Sequence, residues 1–223
     1  RQISTITKRD IINYLDYARS NDNGAKARAR KLSALRGFFG YLCHQINELS
    51  ENPTDNINLG SPKKSLPKYL SASESIRLLK NIQSDFYERD FCMITLFLNC
   101  GMRLTELVTI NMGDFKQDTI RITGKGNKER EVYFNARTKI HLKQYLESRT
   151  DDNPALFVSI AKPHNRLKIS GVELRLRQLG RKVSIHKVHP HKFRRTLATM
   201  AIDKGMPIEQ VQKLLGHVKI DTT

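Results

Sequence analysis

Apolar residues in the first 59 positions of the chain recur with the period of an α-helix. Thr7 and Asp10 have the spacing of a helix N-cap and an acidic first turn, and Gly24 opens a second helix. The first helix carries a stripe of Ile11, Tyr14, Leu15 and Ala18. The second carries Leu32, Leu35, Phe39, Leu42 and Ile46, spaced three and four residues apart. We therefore predict two amphipathic helices in this region.

The helical pattern ends at Asn52-Pro53, and a polar, basic, proline-bearing segment follows. Such a segment is typical of a linker at a domain boundary. We predict a helical domain over residues 1–60, a linker over residues 61–69 and a second domain over residues 70–223. Because Arg1 is not a natural start, we also expect that the first domain is trimmed at its N-terminus.

The second domain opens with two helices and a hairpin. Ser71-Ala72-Ser73-Glu74 has the pattern of a capping box. The helix that it opens should face the core with Ile76, Leu79 and Ile82. A second helix, over residues 86–99, should turn inward Phe91, Ile94 and Leu98. Apolar and polar residues then alternate in Thr119–Thr123 and Glu131–Phe134, which predicts the two strands of a β-hairpin.

The pattern after the hairpin is again mostly helical. We predict a helix over residues 137–148 and a short strand-like run over residues 156–158. Ser170 and Glu173 have the spacing of another capping box, which would open a helix. The apolar stripe of that helix consists of Val172, Leu176, Leu179 and Val183.

Two further helices complete the prediction. Pro190 suits the first helical position, where its missing N–H costs nothing, and Pro207 and Gly216 begin and end the last helix. The predicted fold class is α+β, mainly α-helical with a small β-hairpin or sheet.

The charge balance points to a polyanionic partner. The chain has 39 Lys and Arg residues against 22 Asp and Glu residues, a net charge of +17. That excess favours nucleic acid as the partner. An anionic membrane surface is the rival hypothesis, but no stretch approaches the ~18–20 apolar residues of a membrane span. We therefore predict a DNA partner and no membrane.

The predicted helix after Gly24 concentrates this positive charge, because no acidic residue occurs between Gly24 and Asn47. We expect the helix to face DNA through Lys26, Arg28, Arg30 and Lys31; a solvated helix face is the alternative. The linker lysines, Lys63 and Lys64, would follow a phosphate backbone, unless the linker is a plain exposed tether.

Cysteine usage favours a reducing compartment. Cys43, Cys92 and Cys100 are odd in number and form no CxxC pair, so the sequence suggests neither a disulfide framework nor a zinc site. No signal peptide is visible. We expect a cytoplasmic, nucleoid-associated protein.

The candidate chemistry is concentrated near the end of the chain, in the run His189-Pro190-His191-Lys192-Phe193-Arg194-Arg195-Thr196. His191 and Arg194 are three residues apart, which puts both side chains on one face of a helix. The positive end of that helix adds partial charge at the same place. A phosphate group is the natural ligand for such a site.

Three further residues extend this set. Arg103 follows Gly101 between two apolar helices, where burial is costly unless an anion meets it; a structural pair with Glu106 is the alternative. Lys125 lies between two glycines in the hairpin tip; an ordinary basic turn without a functional role is the alternative. His217 follows the last helix, where a structural role is the alternative.

Taken together, the order and spacing of four motifs resemble the tyrosine recombinases, most closely the Xer and bacterial integrase branch. The motifs are Gly101-Met102-Arg103-Leu104-Thr105-Glu106-Leu107, Gly124-Lys125-Gly126, His191-x-x-Arg194 and Leu214-Leu215-Gly216-His217. The resemblance covers nearly the whole chain. It implies a helical core-binding domain followed by a catalytic domain.

The resemblance also assigns roles in DNA strand cleavage by a tyrosine hydroxyl. Arg103 and Arg194 would hold the non-bridging oxygens of the scissile phosphate, and Lys125 would protonate the 5′-oxygen leaving group. His191 would manage the proton of the nucleophile, and His217 would hydrogen-bond the phosphate.

Supporting roles and partners follow from the same resemblance. Glu106 would orient neighbouring groups, and Lys128 would contact DNA beside the hairpin tip. Fixed cations neutralise the phosphate, so no metal is required, and the phosphotyrosine link conserves the bond energy, so no ATP is required. The expected assembly is a homo- or hetero-tetramer on two specific double-stranded DNA sites.

One departure concerns the nucleophile. The family's tyrosine would lie just after Thr223, and the last tyrosines of the chain, Tyr133 and Tyr145, do not occupy that place. We therefore expect a chain that is truncated before its nucleophile, and that as given binds DNA without cleaving it.

Two other hypotheses stay open. A non-catalytic DNA-binding or architectural relative is the first alternative. A metal-dependent nuclease or transposase is the second, and it needs clustered carboxylates, of which Asp151-Asp152 is the only adjacent pair.

Overall fold

The computed structural model describes residues 3–60, 68–82, 87–116, 119–123 and 129–216. The chain divides into two compact units, Arg1–Leu66 and Pro67–Thr223. Several residues singled out from the sequence lie outside the described residues: Lys63, Lys64, Lys125, Lys128 and His217.

The first unit is helical, as predicted. It contains a short 3-10 helix (Ile3–Thr5), α1 (Lys8–Ser20) and α2 (Ala25–His44). The predicted cap of α1 is present, because the Asp10 backbone N–H donates to Thr7 Oγ1 and the Thr7 N–H donates to the Asp10 carboxylate.

The core of the first unit lies between α1, α2 and the segment after α2. Its buried residues are Ile11, Leu15, Leu32, Phe39, Leu42 and Ile57. The predicted stripe was wrong at Tyr14 and Ile46, which are 42% and 49% exposed. Tyr14 flanks the narrow buried stripe of α1, and Ile46 lies beyond the last residue of α2.

The second unit combines helices with one small sheet. Its helices are α3 (Ala72–Lys80), α4 (Tyr87–Cys100), α5 (Leu104–Thr109), α6 (Ala136–Glu147), α7 (Ile169–Lys182), α8 (Pro190–Asp203) and α9 (Ile208–Leu215), with a 3-10 turn at Met112–Asp114. The α+β class predicted from the sequence is therefore confirmed. Within the described ranges, no helix combines the length and apolar character needed to cross a membrane.

Helix α4 is the centre of the second unit and packs against α6 and α8. Phe97 of α4 is fully buried and stacks on Phe193 of α8, with ring centroids 5.8 Å apart. Because α4 is covered on several sides, its buried residues do not form the single stripe that we predicted. Ile94 is buried, but Phe91 and Leu98 are only partly buried.

Two predicted helix faces needed correction. The capping box of Ser71 and Glu74 is present in α3, but Leu78 is fully buried there, Leu79 is only partly buried and Ile76 is 53% exposed. Helix α7 begins at Ile169 with Lys168 as its N-cap, so Ser170 lies inside the helix and caps nothing. The predicted stripe of α7 is buried throughout: Val172, Leu176, Leu179 and Val183.

The predicted hairpin belongs to an antiparallel three-stranded sheet in the order β1-β2-β3. The strands are β1 (Phe115–Lys116), which the sequence did not predict, β2 (Thr119–Thr123) and β3 (Glu129–Tyr133). In the register of β2 and β3, Ile120 pairs with Val132 and Ile122 with Arg130. Residues 156–158, predicted as a strand-like run, are buried but form no strand: isolated β-bridges occur at Ala155, just before them, and at Val158 within them.

Candidate active site

Arg194 lies in the second turn of α8 and is almost completely buried, with 6% of its surface exposed. As predicted, α8 begins at Pro190, and His189 is the N-cap. The Arg194 guanidinium donates through Nη1 to the Gly101 carbonyl and through Nη2 to the Leu215 carbonyl. Arg194 therefore joins the turn after α4 to the end of α9.

Arg103 is the N-cap residue of α5 and reaches the same end of α9. Its backbone N–H donates to Glu106 Oε2 over 2.7 Å, and its Nη1 donates to Glu106 Oε1 over 2.7 Å. Its Nη2 donates to the Gly216 carbonyl over 3.3 Å. The structural pair with Glu106 that we considered as an alternative is thus formed, while 29% of the Arg103 side chain stays exposed.

A third guanidinium, which the sequence analysis missed, completes the cluster. Arg130 on β3 donates to the two oxygens of Glu106 through Nη1 and Nη2, over 2.7 and 2.9 Å. The sequence held a signal for it. Since side chains alternate along a strand, Arg130 had to share the inward side of β3 with buried Val132.

The arginine cluster, which we define as Arg103, Arg130, Arg194 and Glu106, has an excess of positive charge. Burial alone would raise the pKa of Glu106, but hydrogen bonds from Arg130 and Arg103 outweigh burial and lower that pKa. Burial and the neighbouring Arg103 charge lower the pKa of Arg194 to about 10. Three guanidiniums around one carboxylate leave a site that an anion would neutralise.

Gly216 allows α9 to end inside this cluster. It has a φ of 61°, a left-handed conformation that favours glycine. A Cβ at this position would lie 3.1 Å from Arg130 Cδ and 3.2 Å from its Cζ. Glycine is therefore favoured here for two reasons: it adopts the left-handed conformation, and it leaves room for the Arg130 side chain.

The family of the chain follows from sequence comparison. Residues 68–223 match the Phage integrase family, and residues 1–45 match the phage integrase N-terminal SAM-like domain. The chain belongs to the phage integrase family. Its relatives place it among the Xer-like tyrosine recombinases.

Two curated relatives of this integrase-family chain illustrate the similarity. Tyrosine recombinase XerC of Caldanaerobacter subterraneus is 38% identical over 231 residues, which cover 99% of the chain and 64% of the relative. XerC of Psychromonas ingrahamii is 38% identical over 210 residues, which cover 90% of the chain and 69% of the relative. The chain thus spans about two thirds of the length of these relatives.

Solved structures show the same fold. The crystal structure of XerA recombinase is 28% identical with a TM-score of 0.61, and the match covers 100% of our chain and 78% of that chain. XerH recombinase bound to its difH substrate is 24% identical with a TM-score of 0.79, and the match covers 99% of our chain and 66% of that chain.

Two histidines, His189 and His191, lie at the start of α8. His191 is exposed, and its ring centroid lies 6.5 Å from that of His189. Burial and the positive charges of His191 and Arg195 lower the pKa of His189. His191 is the more exposed of the two histidines.

Tyr145 is held in the core of the integrase's second unit. It is 3% exposed, stacks on Phe157 with ring centroids 5.3 Å apart, and accepts a hydrogen bond from the Val158 N–H. Burial raises the pKa of Tyr145 to about 12. A buried phenol that resists deprotonation is a poor nucleophile. Tyr133 is exposed on β3.

The predicted DNA-facing residues of α2 differ in their surroundings. Lys26 and Arg30 are exposed, whereas Arg28 and Lys31 are half-buried. Lys31 Nζ donates to the Tyr14 hydroxyl over 3.2 Å and lies 5.5 Å from the centroid of that ring. Only part of the predicted basic face is therefore presented fully to solvent.

The structure thus brings together Arg103, Glu106 and Arg194 from the predicted set, adds Arg130, and places His191 on the helix of Arg194. In the described part of the chain, no group of three or more His, Cys, Asp or Glu side chains has a metal-binding arrangement.

Proposed function

We propose that this protein is a site-specific DNA recombinase that breaks and rejoins DNA strands through a 3′-phosphotyrosine intermediate. The observation that carries the proposal is the convergence of Arg103 and Arg194 on the end of α9, with an uncompensated positive charge. The family of the chain and the excess of basic residues support the same reading.

The arginine cluster suits the chemistry of phosphoryl transfer. When a tyrosine hydroxyl attacks the scissile phosphate, negative charge increases on the non-bridging oxygens in the transition state. A guanidinium has five N–H donors in a planar fork, so Arg103 and Arg194 retain donors beyond those given to backbone and Glu106. Donors that are already fixed need no reorganisation as the charge develops.

The remaining proposed roles belong to residues at the edge of the cluster or outside the described residues. Lys125 would protonate the 5′-oxygen leaving group, His191 would accept the proton of the nucleophile, and His217 would donate to the phosphate. The nucleophilic tyrosine would follow Thr223 in the full-length protein.

We assign a different role in DNA binding to each of the two units. The first unit would be the core-binding domain, gripping the duplex through the basic face of α2, and the second would be the catalytic domain. The active assembly would be a tetramer on two DNA sites. The XerH structure is a complex of that relative with its difH substrate, which is consistent with a DNA partner for this chain.

The test is a covalent-trapping experiment with the full-length protein. The DNA is a duplex that contains the target site, which is first verified by footprinting. The duplex is nicked near the scissile phosphate, incubated with protein in EDTA and analysed on a denaturing gel. We expect a covalent protein–DNA band that disappears when the tyrosine beyond His217 is changed to Phe. Footprinted binding without a covalent band would instead favour a non-catalytic DNA-binding relative.

A further inference from the structure

We propose that Arg130 is a positioning residue, which acts through Glu106 and Gly216 to hold the Arg103 guanidinium in its phosphate-binding orientation. The inference rests on the proposed function and adds a positioning residue to it.

Both acceptors that fix the Arg103 guanidinium are in contact with Arg130. The first acceptor is the Glu106 carboxylate, which accepts hydrogen bonds from Arg103 Nη1 and from both terminal nitrogens of Arg130. The second is the Gly216 carbonyl, which receives Arg103 Nη2, and the Arg130 side chain packs closely against Gly216. A movement of Arg130 therefore displaces both anchors of Arg103.

The carboxylate of Glu106 has little freedom to adjust. Its side chain is 1% exposed, and its two oxygens receive the bidentate Arg130 guanidinium together with the backbone N–H and Nη1 of Arg103. In such a buried and saturated network, the orientation of each member depends on the others. Arg130 thus sets the rotation of the Glu106 carboxylate, and the carboxylate sets Arg103.

A purely structural role explains Arg130 less well. Its Nε is buried and has no hydrogen-bond partner among the described residues, which is unfavourable for folding. Arg130 also occupies an inward position on β3, which an apolar side chain could fill without burying a charge. Replacing buried ion pairs by well-packed apolar residues is often neutral or stabilising. An arginine here is therefore better explained by the orientation that it imposes.

The bidentate contact predicts which substitution is informative. Lysine keeps the positive charge of Arg130 but is a single point donor, so it cannot bridge both oxygens of Glu106. Arg121 offers a matched control on the neighbouring strand. It lies on the outward side of β2 and forms an exposed, 3.8 Å ion pair with Glu129.

The experiment compares Arg130→Lys and Arg121→Lys in the full-length protein. Cleavage of the nicked duplex is followed under single-turnover conditions at saturating protein, and the DNA dissociation constant is measured by mobility shift. We expect Arg130→Lys to lower the cleavage rate constant roughly 10- to 100-fold, as a small misplacement of a catalytic group does, with affinity changed less than about threefold. Arg121→Lys should leave both quantities unchanged.

A second measurement keeps the inference testable if Arg130→Lys unfolds more easily. The rate constants of Glu106→Gln and of the double variant Glu106→Gln/Arg130→Lys are compared at a temperature where circular dichroism shows all proteins folded. Because Arg130 acts through Glu106 as well as Gly216, the double variant should be slower than Glu106→Gln by a smaller factor than Arg130→Lys alone costs the wild type. A loss equal to the product of the two single losses would overturn the inference.

The controls separate this inference from the proposed function. Wild-type protein that binds its site but forms no covalent band contradicts the proposed function itself. Wild-type cleavage together with unimpaired cleavage by Arg130→Lys contradicts only the role of Arg130. Parallel losses of binding and cleavage would make Arg130 a structural or DNA-contacting residue.

Discussion

Two regions of this protein use arginine and lysine in opposite ways. On α2, Lys26 and Arg30 are exposed, and no acidic residue occurs from Gly24 to Asn47. In the arginine cluster, Arg194 is 6% exposed and its terminal nitrogens are bound to backbone carbonyls. The first region offers charge at the exposed surface, and the second offers buried charge that backbone carbonyls hold in place.

This difference separates affinity from catalysis. Exposed charges are screened by salt and attract any phosphate backbone, so the face of α2 suits sequence-independent attraction. Buried guanidiniums are screened much less and are aligned before a ligand arrives, which is the property that stabilises a transition state.

We expect the largest effect from substitution of Arg103 or Arg194. We predict that Arg103→Ala or Arg194→Ala lowers the cleavage rate constant roughly 10²- to 10³-fold, the loss typical of a transition-state donor, with a far smaller change in DNA affinity. Arg195→Ala is the matched control, since Arg195 is exposed on the same helix. Single-turnover cleavage and mobility-shift titration measure the two quantities. Equal losses of binding and cleavage would show that these arginines only anchor the protein.

The next effect concerns the glycine beneath Arg130. Gly216→Ala forces a Cβ into the left-handed conformation and against the Arg130 side chain, and we predict a roughly 10- to 100-fold slower cleavage. Gly205→Ala is a matched control, because Gly205 also has a positive φ, of 85°, but an added Cβ meets nothing within 4 Å. Equal cleavage by the two variants would mean that only backbone strain matters at Gly216.

A smaller effect is the pH dependence of stability that Glu106 contributes. The pKa of Glu106 is lowered in the folded protein from its ordinary 4.5, so its contribution is present above pH 4.5 and is lost as the pH falls through the folded-state pKa. We predict that Glu106→Gln lowers the free energy of unfolding at neutral pH by about 3 kcal/mol, and that the difference from wild type shrinks in acid. Urea unfolding at several pH values measures it. A difference that does not change with pH would contradict the ionised pair.

The smallest effect on chemistry is expected from α2. We predict that Lys26→Gln/Arg30→Gln weakens DNA binding and reduces the slope of log affinity against log salt by about one unit per lost phosphate contact. Lys143→Gln is the control, because Lys143 is an exposed lysine on α6, outside the helix that we predict to face DNA. Titrations at several salt concentrations give the slopes. An unchanged slope in the α2 variant would show that this face meets solvent only.

Local signals explain what the sequence predicted well. The start of α8 depends on Pro190, the caps of α1 and α3 depend on residues three apart, and the strands β2 and β3 on simple alternation. Each of these features is decided within a few residues. Periodicity failed at Ile76 because α3 has several adjacent apolar residues, and packing against neighbouring helices selected Leu78 instead.

The arginine cluster was only partly predictable. Arg103 and Arg194 were singled out because their motifs are compact and resemble a known family. Arg130 was missed because its partners lie far away in the chain, at Glu106 and Gly216, and only the fold brings them together. Its inward position on β3 was available from alternation, but the identity of its partner was not.

The different roles proposed for the arginine cluster and for α2 can be tested by comparing Arg194→Ala with Lys26→Gln/Arg30→Gln on one nicked duplex. Single-turnover cleavage is measured in EDTA at protein concentrations that saturate the DNA for each variant. We predict that Arg194→Ala stays slow at saturation, whereas the α2 variant recovers the wild-type rate once enough protein is bound. Recovery of the wild-type rate by Arg194→Ala would contradict a catalytic role for the buried guanidinium.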